Sequence, residues 1–173
     1  MWTVADLEQL PDDGHRYEVL HGDLLMTPMP TVGHQRAARR LLMLIGGWCQ
    51  RHTGWLFLAP GGVYMSETSW LEPDLAVYPE PDETSRTWRE IPPPLLVVEV
   101  LSPSTRKRDR FQKRPAYLTH GVGEVWIVDE AARSIERWTA RSEFPELLLT
   151  GITWSPVAEY PPLVVTAAEV FGA

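Results

Sequence analysis

Apolar positions along the chain recur at two periods, and the two periods divide it into elements. Helical spacing is sustained once, over roughly Thr31 to Arg51. There Ala37, Leu41, Leu44, Ile45 and Trp48 share one face, while Arg36, Arg39 and Arg40 fall on the other. Most of the remainder reads as strands. Arg16 to Met26 looks like two arms joined at His21-Gly22 or Gly22-Asp23, a hairpin signal. After Gly54, strands are expected at Trp55 to Leu58, Gly62 to Ser66 and Leu71 to Tyr78. Further strands are expected at Leu95 to Leu101, Val125 to Asp129 and Ser134 to Thr139, with edge-like pieces at Pro145 to Leu149 and Thr153 to Trp154.

Short helices punctuate this set. Thr3 and Asp6 form a capping arrangement ahead of Leu7 and Leu10, and Pro11-Asp12-Asp13-Gly14 ends the stripe. A second helix carries Tyr117 and Leu118 to a stop near His120-Gly121. Pro115 removes a backbone donor, so that helix begins just before it or kinks at it. Thr166 and Glu169 cap a third, terminal helix. Pro79 to Pro94 holds five prolines and reads as a long surface connection.

One strand is anomalous. Leu95-Leu96-Val97-Val98-Glu99-Val100-Leu101 is aliphatic at six of seven positions, as a strand buried on both faces would be. Glu99 has no ordinary place there, because a buried carboxylate must protonate, pair or bind a metal. Asp74, fixed just after Pro73, faces away from Leu75 and Val77 by strand alternation. If the two strands are neighbours, the carboxylates converge and could bind a hard cation, Mg²⁺ or Mn²⁺. Taken singly, Asp74 could be a turn aspartate and Glu99 the partner of an arginine or lysine.

Composition narrows the class. The 173 residues fit one domain, able to bury roughly 70% of its unfolded surface. That domain reads as residues 1–30 for the N-terminal helix and hairpin, 31–130 for the core, and 131–173 for terminal strands and a short helix. The single cysteine, Cys49, cannot form an internal bridge and suits a cytoplasmic protein. No apolar run approaches the ~20 residues that cross a bilayer, so no membrane partner is expected. A net charge of −7 argues against a general nucleic-acid coat. Charge is nevertheless concentrated: Arg106, Lys107, Arg108, Arg110, Lys113 and Arg114 stand against Asp109 alone.

Taken in order, Arg16-Tyr17-Glu18, Pro73-Asp74, Val98 to Thr105, Asp109, Lys113, Tyr117, Gly121-Val122 and Glu124 to Asp129 resemble the Uma-type putative restriction endonuclease family. That family belongs to the PD-(D/E)xK nuclease superfamily. The resemblance implies an α/β (α+β) fold with a restriction-endonuclease-like core, a curved mixed β-sheet flanked by helices. It implies a metal-dependent endonuclease acting on DNA, with Asp74 and Glu99 as metal ligands and the Val100 carbonyl as a third. The lysine expected two residues after Glu99 is Leu101 here. Lys113 matches the lysine that recurs on the family's following helix, so it stands as the relocated catalytic lysine.

Glu18 matches a family glutamate and could join the site, or could pair with Arg16 or a helix arginine. Asp109, Lys113 and Tyr117 are spaced by four, which allows either a shared catalytic face or an ordinary Asp109–Lys113 salt bridge. His34 could contact phosphate or metal, or cap the long helix. Ser102, Ser104 and Thr105 suit capping. Arg106, Lys107, Arg108 and Arg110 are expected to contact the DNA phosphate backbone. The apolar and tryptophan-bearing surplus suggests a homodimer or higher homo-oligomer. The competing function is a nuclease-fold binding or assembly module without turnover, which Leu101 favours. A third is a small-molecule phosphoesterase.

Overall fold

The long helical stripe folds as expected. In the computed structural model, which describes residues 1–172, helix α2 runs Val32–Arg51, after a four-residue helix α1, Val4–Leu7, and a hairpin of β1, Arg16–Leu20, and β2, Asp23–Thr27. Thr31 caps α2 by accepting the His34 N–H. Its apolar face buries Ala37, Leu41, Ile45 and Trp48. The hairpin turns at His21 and Gly22, both at positive φ (52° and 84°), the geometry a tight two-residue hairpin turn needs.

Five strands follow before the next α-helix, with a 3-10 turn at Trp88–Glu90 ahead of the last: β3, Trp55–Leu58; β4, Val63–Ser66; β5, Ser69–Leu71; β6, Leu75–Pro79; and β7, Leu96–Val100. The expected single strand from Leu71 to Tyr78 is therefore two strands. Pro73, which has no N–H to donate to a ladder, lies in the break. The break carries the chain from one sheet into another. β5 belongs to a four-stranded antiparallel sheet, β2-β1-β5-β4, and β6 to a six-stranded sheet.

After β7 come α3, Arg106–Arg108, a π-helical turn, Asp109–Lys113, and α4, Arg114–His120. Helix α4 thus begins just before Pro115, which sits in its first turn, where its missing donor costs no helical hydrogen bond. The wide turn lies just before the helix, and Gly121 at φ 100° ends it. Strands β8, Glu124–Asp129, β9, Ser134–Trp138, and β10, Glu146–Leu148, complete the larger sheet in the order β10-β9-β8-β7-β6-β3. β7 and β8 pair in parallel and the other described pairs of this sheet are antiparallel, so the sheet is mixed. The segment containing the π turn is the crossover that this parallel pair requires.

A last hairpin, β11, Gly151–Trp154, and β12, Leu163–Thr166, leads into α5, Ala167–Phe171. β12 was not among the expected strands. It alternates, with Leu163 and Val165 buried and Val164 exposed, so its pattern was present but short.

The larger sheet is covered on both faces, which explains its unbroken apolar runs. Leu96, Val98 and Val100 pack with α2, α5 and the last hairpin. Val97 and Leu101 pack the other way, with Leu20, Leu71 and Tyr117. Alternation puts Glu99 on this second face. Replacing Leu41 (0% exposed) by Ala should cost about 2–5 kcal/mol in urea denaturation. Replacing Met43 (66% exposed) on the same helix should change stability by no more than about 0.5 kcal/mol.

Candidate active site

The ladder between β6 and β7 sets Leu75 opposite Val98 and Ala76 opposite Val97. Continued one residue past its end, that register brings Asp74 opposite Glu99. Directly opposed antiparallel residues share a face, so the two carboxylates converge. Asp74 is further anchored to β7 itself, because the Val100 N–H donates to Asp74 Oδ2 at 2.9 Å. Pro73 and the sheet-to-sheet break free this backbone to make that contact. The pair opens into a pocket of about 130 Å³ that is also lined by Arg16, His34, Arg108, Asp109 and Lys113.

Two side chains hold Asp74. His34 Nε2 lies 3.0 Å from Oδ2, and Arg16 donates to Oδ1 at 3.3 Å while also bonding the Glu72 carbonyl. Burial would raise the Asp74 pKa, but His34, Arg16 and the Val100 N–H together hold it below the ordinary carboxylate value. His34 therefore both caps and serves the site: its backbone N–H meets Thr31 and its ring meets Asp74. Its Nδ1 is buried without a hydrogen-bond partner.

Glu99 is held from the crossover. The Lys113 ammonium sits 2.7 Å from Glu99 Oε1 and 2.8 Å from Glu18 Oε1. Tyr117 donates its hydroxyl to Glu99 Oε1 at 2.7 Å, and the Glu72 N–H donates to Glu18 Oε1 at 2.8 Å. Both bonds to Glu99 fall on Oε1, which leaves Oε2 to take a further partner. Burial pushes the Glu99 pKa up to about 8, Lys113 opposes this, and Asp109, Asp74 and Glu18 add to it. Burial also disfavours the charged Lys113, yet Glu18, Glu99 and Asp109 hold its pKa above the ordinary lysine value. The ammonium stays charged because carboxylates surround it.

Asp74, Glu99, Val100 and Lys113, separated along the chain, are thus in one place. Asp109 and His34 line the same pocket, and Tyr117 braces it from behind. Glu18 lies against Lys113, with Oε2 buried and unpartnered, so its pairing with Arg16 or a helix arginine does not occur. Nor does the Asp109–Lys113 salt bridge form, since the lysine points to two glutamates instead. Ser102, Ser104 and Thr105 bond one another in a turn at the start of the crossover, and the N-cap of α3, Thr105, makes no side-chain cap bond.

The basic run mostly turns elsewhere. Arg106 binds Asp129, and Arg110 binds both Asp129 (3.1 Å) and Glu136 (2.6 Å), on strands β8 and β9. Arg108 lines the pocket but bonds the Met26 carbonyl and Thr27. Lys107 is exposed. Arg16 is the site residue the sequence undervalued: its neighbour Glu18 drew attention, while the guanidinium itself reaches Asp74.

A family model, Uma2, described as "Putative restriction endonuclease", matches residues 4–166. The chain belongs to the Uma2 family. Among curated proteins, none matches it significantly. It is similar to a crystal structure described as a putative nuclease belonging to DUF820 from Anabaena variabilis ATCC 29413. The TM-score is 0.79 at 17% identity, covering 99% of this chain and 98% of that one. At that identity the likeness concerns the fold, and it agrees with the restriction-endonuclease-like core and mixed sheet flanked by helices.

Could this Uma2 site hold a metal ion? Among the described residues, no group of three or more His, Cys, Asp and Glu side chains is arranged to do so. Magnesium does not require one, since it keeps several waters and binds through one or two carboxylates. Asp74 Oδ1, whose bond to Arg16 is 3.3 Å long, and Glu99 Oε2 are the oxygens that could hold such an ion.

Glu99 also predicts a pH dependence. A folded pKa above the ordinary 4.5 means the folded protein holds an extra proton between about 4.5 and about 8. Its contribution to stability is therefore lost as pH rises through that window. In metal-free buffer, urea midpoints should fall over this range, and Glu99→Gln should flatten the fall. An equal slope in both proteins would remove Glu99 as its source.

Proposed function

We propose that this Uma2 protein is a divalent-metal-dependent endonuclease that hydrolyses DNA phosphodiester bonds. The observation that carries the reading is the meeting of Asp74, Glu99 and the Lys113 ammonium in one pocket. Family and fold, both nuclease-like, point the same way. Bound there by Asp74 and Glu99, Mg²⁺ or Mn²⁺ would supply a water of lowered pKa and neutralise charge on the phosphate.

The chain's own residues do the rest. His34 and Arg16 fix the Asp74 carboxylate, and Tyr117 fixes that of Glu99. Lys113 keeps a positive charge at the pocket floor, where it favours the charge that develops on a phosphate under attack. Its position explains how Leu101 is tolerated: Leu101 packs in the core, and the ammonium arrives from the π turn instead. A homodimer is part of the proposal, because exposed Phe144, Leu147 and Leu149 lie in and beside β10, an edge strand of the larger sheet.

One observation favours the inactive binding module. Asp74 already has Arg16, His34 and the Val100 N–H as partners, which an ion must compete with. Isothermal titration with Mn²⁺ separates the readings, because the nuclease needs binding that is lost in Asp74→Asn and Glu99→Gln.

Incubated with plasmid DNA, the protein should nick or cut only when a divalent ion is added. Asp74→Asn and Glu99→Gln should abolish cutting, whereas undiminished activity in either would mean that the nuclease lies elsewhere. Lys113→Ala should lower the rate by about 10²-fold or more. It should also destabilise the fold by about 3–5 kcal/mol, because two buried glutamates lose their cation. Light scattering should report a dimer in solution, and a monomer at working concentration would remove that part of the proposal.

A further inference from the structure

Two larger grooves meet the active-site pocket at Arg16, and their charges differ. One, about 770 Å³, runs past α1 and carries the carboxylates of Glu8, Asp12 and Glu72. The other, about 540 Å³, runs along the N-terminal half of α2. It shares Arg16, His34 and Asp74 with the site pocket, and it adds Arg36 and Arg39. Among the described residues, Asp74 is the only carboxylate lining it.

Of the fourteen arginines in this chain of net charge −7, six have an acid partner among the described residues. Arg106 and Arg110 are held by Asp129 and Glu136, Arg89 by Glu67, and Arg137 by Glu124 and Glu146. Arg36 and Arg39 are exposed, and among the described residues neither forms an ion pair or a side-chain hydrogen bond. They stand three residues apart on one helix, about 5–6 Å between Cβ atoms. Two guanidinium groups so placed can take neighbouring phosphates of one strand, and each can bind its phosphate bidentately.

We propose that the α2 groove is the track for the DNA backbone, with Arg36 and Arg39 as its phosphate contacts leading to the active-site pocket. It rests on the nuclease reading for its ligand, and it transfers the backbone contact from the Arg106–Arg110 segment to α2.

Binding is measured without cleavage, by fluorescence anisotropy of a labelled duplex in EDTA over a series of salt concentrations. For each of Arg36→Ala and Arg39→Ala, the slope of log K against log salt should shrink by about one. Arg51→Ala, an exposed arginine in the last turn of the same helix, should leave the slope unchanged. Melting temperatures should match the parent, since both groove arginines are exposed. Unchanged slopes in Arg36→Ala and Arg39→Ala, or a parent protein with no salt-dependent binding, would overturn the proposal. Metal-dependent cutting that survives both substitutions with unaltered binding would leave the nuclease standing and remove only the track. Arginine-dependent binding without cutting would do the reverse.

Discussion

The structure depends on one buried cation. Lys113 lies in the interior between Glu18 and Glu99, and each of the three comes from a different part of the chain: the first hairpin, the central strand and the crossover. Any one of these charges alone would be costly to bury. Together they hold the smaller sheet, the larger sheet and the π turn in one arrangement. The same contact builds the site, because the ammonium that joins the sheets also faces the pocket. Stability and chemistry therefore share residues here, and a change that relaxes one affects the other.

The second constraint is the break at Glu72-Pro73-Asp74. A continuous strand would have carried Asp74 along a single sheet with its backbone committed to a ladder. The proline ends one sheet and lets the next begin, and Asp74 is left at the seam, where it can accept the Val100 N–H. The seam is also where Arg16 arrives from β1. Acid, imidazole and guanidinium thus meet where two sheets change over, a place the core packing leaves open.

Much of this was legible in the sequence, and the parts that were not have a common cause. A charge inside an apolar run marked Glu99, and a proline marked the approach to Asp74, because burial and backbone chemistry are local properties. The long helix and its arginine face followed from spacing alone. The Glu18–Lys113 contact was not legible, since ion pairing between distant segments depends on which strands become neighbours. The ion pairs of Arg106 and Arg110 were hidden for the same reason: their acid partners, Asp129 and Glu136, lie on later strands. Arg36 and Arg39 were visible from the start as the outer face of a helix, but their lack of acid partners appears only in three dimensions.

The π turn has a further consequence for how this segment can vary. A residue in an α-helix advances the chain by about 100° around its axis. The π turn holds one residue more than a regular turn would, so deleting one residue between Asp109 and Lys113 would return the segment to ordinary helix. Lys113 could keep its place against the glutamates only if everything before it swung by about that angle. Asp109 and Arg108 would leave the pocket, and Arg106 would leave Asp129. A substitution in this segment changes only the contacts of that one side chain, whereas a change of length re-indexes all of them, so loop length is the more tightly bound property of the crossover.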